Sequence, residues 1–116
     1  MTIKIHNLEE MKDYYNEETN TYTFWGDDGY TANVILYFDL KVDSKIFCHN
    51  LLCDNIDVLS ISAYDIDADI IKSEKIICHN IDAIRLLSHE IIITNDGDLN
   101  VYGEMSCHRI KAERII

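Results

Sequence analysis

The chain contains no proline and only 4 glycines. Without proline every residue keeps its backbone amide donor, so unbroken hydrogen-bonded ladders can run through any part of it. Positive charge is also scarce: 10 lysines and arginines stand against 21 aspartates and glutamates, a net charge of -11. That imbalance argues against direct contact with nucleic-acid phosphates, which needs Lys and Arg, and against anionic membrane surfaces. No stretch approaches the ~18 apolar residues of a membrane span. The opening residues, Met1 to Tyr15, lack the basic start and long apolar run of a secretory leader. These absences imply a soluble, cytoplasmic protein, or one carried in the cytoplasm by a phage or mobile element. In that setting Cys48, Cys53, Cys78 and Cys107 read as free thiols. Gly-rich phosphate loops, Gly-x-Ser-x-Gly and His-Glu-x-x-His are all missing. The expectation is a non-enzyme with no cofactor and no metal.

What the sequence does have is a five-residue period. From Ile46 to Asn95 a large apolar residue recurs in one register: Ile46, Leu51, Ile56, Ile61, Ile66, Ile71, Ile76, Ile81, Leu86 and Ile91. Two places after each stands a residue that is usually small, such as Cys48, Ala63, Ser73 or Ala83. Such a period belongs neither to an α-helix nor to a plain strand. In extended backbone the large residue and the one two places on face the same way, and the remaining residues turn a corner. Asn50, Asn55, Asp65, Asn80 and Asn95 stand at those corners, where such residues tolerate left-handed backbone and bond their own main chain. Five residues therefore make one short side and a bend, several sides close a coil, and successive coils stack as parallel β-ladders. Burying an Ile or Leu contributes roughly 1.5–3 kcal/mol, so the run in register supplies ~15–30 kcal/mol before chain entropy, enough to impose the register.

At 116 residues the chain is one domain, and it divides into three sections. Residues 1–33 form a non-repetitive cap. Ile3 and Ile5 suggest a strand, and Asn7 with Glu10 suggests a capped helix over Leu8 to Glu18. Thr21 to Trp25 and Tyr30 to Leu36 pair around a Gly26-Asp27-Asp28-Gly29 turn. Residues 34–45 alternate with period two and predict a single linking strand with one buried face. Residues 46–116 are the coil itself, with a frame slip around Cys107 after which Ile110, Ala112 and Ile115 resume the pattern.

The steps Asn50-Leu51, Asn55-Ile56, Asp65-Ile66 and Asn80-Ile81 resemble the pentapeptide-repeat proteins, whose unit places Asp or Asn before the large residue. In that family the small residue lies two places before the large one; here, as in Ile61-Ser62-Ala63-Tyr64-Asp65, it lies two places after. Uncharacterised proteins of low-GC bacteria and their phages look similar, with such a cap before an Ile-x-Ala run. The resemblance implies an all-β fold with a small α+β N-terminal cap: a right-handed quadrilateral β-helix with about four pentapeptides, hence twenty residues, per coil. Some members of the family are DNA mimics that occupy the nucleic-acid groove of topoisomerases.

Cys48-His49, Cys78-His79 and Cys107-His108 invite a metal reading, which geometry opposes because adjacent residues of extended backbone point to opposite faces. The cysteines coincide with Ala and Ser of other repeats and read as core fillers, with the histidines outward. The acidic surface is the stronger signal. On coils of twenty residues, 46–65, 66–85 and 86–105 carry net charges of -3, -1 and -4. The mean, about -2.7 over a ~4.8 Å rise, equals the ~2.8 charges of duplex DNA over that distance. The leading expectation is thus an acidic, non-enzymatic binding protein that competes for a basic groove on a nuclease, topoisomerase or host-defence enzyme. Asp54, Asp57, Asp65, Asp67, Asp69 and Asp82 are the candidate partner-binding residues, and on the same coil length Asp65 stacks on Arg85. The competing expectation is a self-assembling module. Leu52, Leu59, Ile70, Ile77, Ile84, Leu87 and Ile92 point outward, and Ile110, Ile115 and Ile116 offer a homodimer contact through the last coil.

Overall fold

The computed structural model describes residues 2–26, 29–111 and, in backbone alone, 114–115. In chain order these are β1 Thr2–Ile5, a 3-10 helix Leu8–Tyr14, β2 Tyr15–Asn16, β3 Thr21–Thr23, β4 Asn33–Leu36, β5 Leu40–Lys41, β6 Lys45–Phe47, β7 Asn50–Ser62, β8 Asp65–Cys78, β9 Asn80–Ile93, β10 Asp98–Val101, β11 Met105–Lys111 and β12 Arg114–Ile115. All the strands join one sheet wound upon itself, and every ladder between them is parallel except β2 with β3. The all-β β-helix expected from the five-residue period is the fold observed.

The coil is shorter than the resemblance implies. Asn50 lies beside Asp65 and Asp65 beside Asn80, and the same fifteen-residue offset pairs Ile56 with Ile71 with Leu86, and Ile61 with Ile76 with Ile91. Three pentapeptides close each coil, giving three sides instead of four. The period fixes the length of a side; the number of sides follows from how many large side chains meet at the axis. Here each coil brings three of them together, Leu51, Ile56 and Ile61 in β7, and all three are buried. The stacking of Asp65 on Arg85 disappears with the twenty-residue coil. Arg85 instead lies beside Ile70, and its Nε is 3.7 Å from Glu104 Oε2.

The first side of the solenoid is built from β1, β4, residues 50–53, 65–68 and 80–83, then β10 and β12. The second runs from β5 through 55–58, 70–73 and 85–88 to 105–107. The third runs from β3 through β6, 60–62, 75–78 and 90–93 to 109–111. Within β7, β8 and β9 the corners are hydrogen-bonded between coils. Asn80 Nδ2 donates to Asp65 Oδ1 at 2.9 Å, Asn55 Nδ2 to Asp39 Oδ1 at 3.0 Å, and the Asp98 amide to Asn80 Oδ1 at 2.8 Å. Left-handed backbone, expected at these corners, occurs among described non-glycine residues only at Asn20, Asn95 and Asp96. The corner Asn and Asp thus serve as rungs of a side-chain ladder, because stacked coils put an Asn amide beside an Asp carboxylate of the neighbouring coil.

The N-terminal section is the first coil of the same solenoid, with insertions. The offset grows from fifteen residues (Ile46 beside Ile61) to seventeen (Val34 beside Leu51) and thirty-one (Ile3 beside Val34). The extra residues in the first coil form the helix and the hairpin. Asn7 Oδ1 accepts from the Glu10 amide at 3.1 Å, while Glu10 Oε2 accepts from the His6 amide at 3.0 Å. The helix is 3-10 and ends at Tyr14, short of Glu18, because Tyr15–Asn16 leaves to pair with β3. Met11, with no exposed surface, plugs the core beside Phe24, on which Tyr14 packs with ring centroids 4.9 Å apart. The hairpin is present: Trp25 bridges Thr31, and the Gly26 amide donates to Tyr30 O. Asp27 and Asp28 lie outside the described residues. The linking strand over 34–45 is three strands, β4, β5 and β6, separated by corners, since these residues already travel around a coil.

At the other end the frame shift falls at residues 102–104, ahead of Cys107. Val101 stands eighteen residues after its neighbour Ala83, and Met105 nineteen after Leu86. Gly103 sits in this corner, where an added Cβ would press on the Ile84 carbonyl oxygen at 2.6 Å. Ala112 lies outside the described residues.

Candidate partner-binding surface

The small residues of the repeat do more than fill space. Ser73 Oγ donates to Lys75 O at 3.1 Å and Leu59 O at 3.3 Å, and Ser88 Oγ donates to Glu90 O and Glu74 O. Cys53 Sγ reaches Asn55 O and Phe38 O in the same pattern, and Cys107 Sγ reaches Arg109 O. Each donor lies just before a corner and satisfies a carbonyl two residues on that the bend would leave unpaired. Burial pushes the Cys48 and Cys78 thiols up to about 12 and that of Cys53 to about 11. Thiols so far from ionising are poor nucleophiles and poor ligands. Among the described residues no three of His, Cys, Asp or Glu gather in a way that could hold a metal ion.

Four of the six candidate carboxylates come together. Asp67 and Asp82 are neighbours in the outward column of the first side. Asp54 and Asp69 occupy the corner after that side in successive coils, between the pairs Cys53–Ala68 and Asn55–Ile70. Among the described residues none of the four makes an ion pair; Asp82 accepts from Asn100 Nδ2 at 3.0 Å. Burial, then the neighbouring charges of Asp82 and Asp69, raise the Asp67 carboxyl above its ordinary value. The two remaining candidates lie elsewhere. Asp57 stands on the second side between Lys41 and Lys72, and Asp65 is tied to Asn80 at another corner.

The shorter coil also lowers the charge density. Residues 50–64 carry Asp54 and Asp57 with no base; 65–79 carry four acids against Lys72 and Lys75; 80–94 carry Asp82 and Glu90 against Arg85. The mean falls to about -1.7 per coil, against ~2.8 for duplex DNA over the same ~4.8 Å rise. The equality with DNA came from the assumed coil length and does not hold around the whole solenoid. On the ridge the three successive rungs carry one, two and one carboxylates, since Leu52 and Ile84 hold the remaining positions of the two columns, so even there the density stays below that of the duplex.

The outward apolar residues are placed as expected: Leu52, Ile84 and Leu87 are exposed, and Leu59, Ile70, Ile77 and Ile92 half-buried. A groove of about 630 Å3 runs along the solenoid on the second side, walled by Lys41, Asp57, Lys72 and Leu87 and by Asp43, Leu59, Glu74 and His89. At the C-terminal end, inward positions lose their cover. Met105, which continues the column of Leu40, Ile56, Ile71 and Leu86, is 41% exposed. Ile110 is partly buried against Ile91, Ile115 pairs with Leu99 in β12, and Ile116 lies outside the described residues.

Sequence reading placed the histidines outward but missed their partners. All five make ring contacts at corners: His6 stacks on Tyr37, His49 and His79 each stack on Tyr64, and His89 meets His108 at a tilt. His49, Tyr64 and His79 are spaced fifteen apart in the sequence, the same interval as Asn50, Asp65 and Asn80, and that spacing was the available signal for a three-sided coil. No helix among the described residues is long and apolar enough to cross a membrane. No family model matches the chain, no curated protein matches it, and no solved structure matches it.

Proposed function

We propose that this protein is a non-enzymatic binding protein whose acidic ridge docks on a basic groove of a nucleic-acid-binding enzyme, such as a nuclease, topoisomerase or host-defence enzyme, in competition with nucleic acid. The observation that carries this reading is the group Asp54, Asp67, Asp69 and Asp82: four carboxylates on adjacent columns, with no cation among the described residues paired to any of them. Coils stacked ~4.8 Å apart present these four charges over three rungs, about 3.6 Å of rise per charge, close to the ~3.4 Å of a single DNA strand. The ridge is short, so its footprint matches a few consecutive phosphates and fits a local pocket in a larger groove.

The test is capture of partners from a low-GC bacterial lysate, followed by elution with duplex DNA or RNA. Release of a nucleic-acid enzyme by the competitor, and loss of capture in a variant with all four ridge aspartates changed to asparagine, are the expected results. Undiminished capture by that variant would sink the reading. Asp57→Asn and Asp65→Asn serve as controls away from the ridge.

A second reading, a self-assembling module, is favoured by the uncovered inward residues Met105, Cys107 and Ile110 at the C-terminal end. A second copy of the chain docked there would restore the burial these columns have elsewhere. Light scattering at fixed salt over a concentration series distinguishes it: association that rises with concentration and is lost in Met105→Asp supports self-assembly, whereas a monomer throughout removes it.

A further inference from the structure

The charge of the chain is distributed unequally over the three sides, with opposite sign on two of them. On the strands of the third side Lys45, Lys75, Arg109 and Lys111 point outward, four bases against one acid among the described residues, Glu90, a net of +3. Glu90 bridges Lys75 and Arg109, with its carboxylate oxygens 3.5 and 3.8 Å from their nitrogens. Lys45 and Lys111 make no ion pair among the described residues. From β1 to β10 the first side and its closing corner carry Asp54, Asp65, Asp67, Asp69, Asp82 and Asp98, six acids against one base, Lys4, a net of -5. Both sides also hold apolar side chains outward: Phe47, Ile77 and Ile92 on the third, Ile35 and Leu52 on the first. Phe47 and its neighbour Trp25, with ring centroids 6.5 Å apart, are exposed.

We propose that the acidic first side of one copy docks on the basic third side of a second copy, the two solenoids lying side by side. Both sides are built on the same ~4.8 Å rise between coils, so their outward residues repeat at matching intervals. With the axes in the same sense and the coils level to within one rung, Phe47 lies opposite Ile35 and Leu52. Lys75 then lies opposite Asp67 and Asp69, and Arg109 and Lys111 opposite Asp82 and Asp98. A single exposed ion pair contributes little; here several act together, beside an apolar patch at the N-terminal half. The first side has six rungs from β1 to β10, each five residues wide, which makes about 24 Å by about 16 Å, or roughly 400 Å2 from each copy. That lies at the low end for specific contacts, so the association is weak and reversible.

The two docking surfaces differ, so each contact leaves one surface of each kind free. Repetition therefore builds rings or filaments and not a closed dimer. Copies with a net charge of -11 repel one another at long range. At about 0.1 M salt, charges more than about 10 Å apart are screened while facing charges still attract; at about 1 M, with a screening length of about 3 Å, the facing charges are screened as well. The contact does not rest on docking to a nucleic-acid enzyme, and it is distinct from end-on stacking through Met105.

Sedimentation of the full chain over a concentration series at those two salt levels tests the proposal. At the lower salt the mass is expected to rise beyond that of a dimer, and at the higher salt to fall back toward the monomer. Lys45→Glu combined with Lys111→Glu should weaken association tenfold or more, as should Asp67→Lys combined with Asp69→Lys. All four residues are exposed, so the fold is retained, which circular dichroism checks. Each double variant keeps one surface unmodified. An equimolar mixture of the two should therefore form a one-to-one pair that grows no further. The lysine variant leaves the ridge intact, so enzyme capture by it tests the partner reading separately. A monomer throughout, association unchanged at high salt or in either variant, or a mixture that stays monomeric overturns the contact. Association lost in Met105→Asp but kept in the lysine variant would assign it to the C-terminal end. Duplex DNA bound by the parent and not by the lysine variant would assign the third side to nucleic acid, and overturns the contact equally.

Discussion

The regular coils, β7 to β9, and the two ends of the solenoid obey the same inward-outward rule but with different register, and the contrast shows what the repeat controls. Between Asn50 and Ile93 the offset never leaves fifteen residues, and the large inward residues on all three sides are almost completely buried. At the N-terminus insertions lengthen the coil, yet they are converted into a plug: Met11 and Phe24 are as buried as Ile71. At the C-terminus an insertion of three residues and then one more only bends the path, and Met105 in the column of Ile71 is left exposed. Extra length is harmless where it supplies apolar side chains to the open end of the core, and leaves that end bare where it does not.

The largest effect should come from one column tested at its middle and at its end. Ile71→Ala removes a fully buried side chain and is expected to cost ~2–5 kcal/mol in denaturant unfolding, whereas Met105→Ala is expected to cost less than ~1 kcal/mol. Equal costs would mean that the last coil is covered in solution, which is the outcome self-assembly requires.

A second contrast concerns the glycines of the two inserted corners. A Cβ on Gly97 would fall on the His79 backbone carbonyl, in the corner where His79 Nδ1 meets Thr94 O at 2.8 Å. Gly97→Ala should therefore cost ~1–3 kcal/mol through forced displacement of two packed coils. Gly29, at φ +84°, has open space around it, so Gly29→Ala should cost only the local strain of ~1 kcal/mol. Thermal unfolding of the two variants ranks them; the reverse order would show that the hairpin, and not the C-terminal joint, is the tighter corner.

Much of this was legible in the sequence, and what was not has a definite cause. The five-residue period revealed the side, the inward columns and the outward apolar residues, because side-chain alternation in extended backbone is local. The number of sides is not local. It depends on closure, and only residues that meet between coils report it: Asn50, Asp65 and Asn80, or His49, Tyr64 and His79. Reading the coil as twenty residues displaced every inter-coil pairing, so Asp65 was matched to Arg85, and the charge per coil was overstated. Of the six candidate carboxylates, Asp54, Asp67, Asp69 and Asp82 lie together on the ridge while Asp57 and Asp65 do not, since Asp57 lies beside Lys41 and Lys72 and Asp65 belongs to a corner ladder. The His89–His108 pair depended on a nineteen-residue offset that only the frame shift creates.

The corner donors sharpen the comparison at a smaller scale. Ser73→Ala removes a buried hydroxyl that serves two carbonyls and should cost ~1 kcal/mol. Ser73→Cys should cost less, because Cys53 and Cys107 make the same contact to the carbonyl two residues on. Chemical denaturation of both variants checks the order; a cysteine variant as unstable as the alanine one would show that the thiols at 53 and 107 only fill space.

The smallest expected effect has the opposite sign and belongs to the ridge. Asp67 has its carboxyl raised by burial and by the charges of Asp82 and Asp69, so the folded protein takes up its proton more readily than the unfolded chain. Ionised Asp67 is thus a destabilising element, present above its folded-state pKa and relieved as pH falls through it. Asp67→Asn should stabilise the protein at neutral pH, by no more than about 0.5 kcal/mol because the side chain is largely exposed and screened by water. The gain should shrink as pH falls through the carboxylate range, and it should shrink with added salt, which screens Asp82 and Asp69 but leaves burial untouched. Thermal unfolding at two pH values and two salt concentrations separates these contributions. A variant less stable than the parent at neutral pH would mean that Asp67 holds a stabilising contact, and the ridge would then be a structural ladder and not a set of charges held ready for a partner.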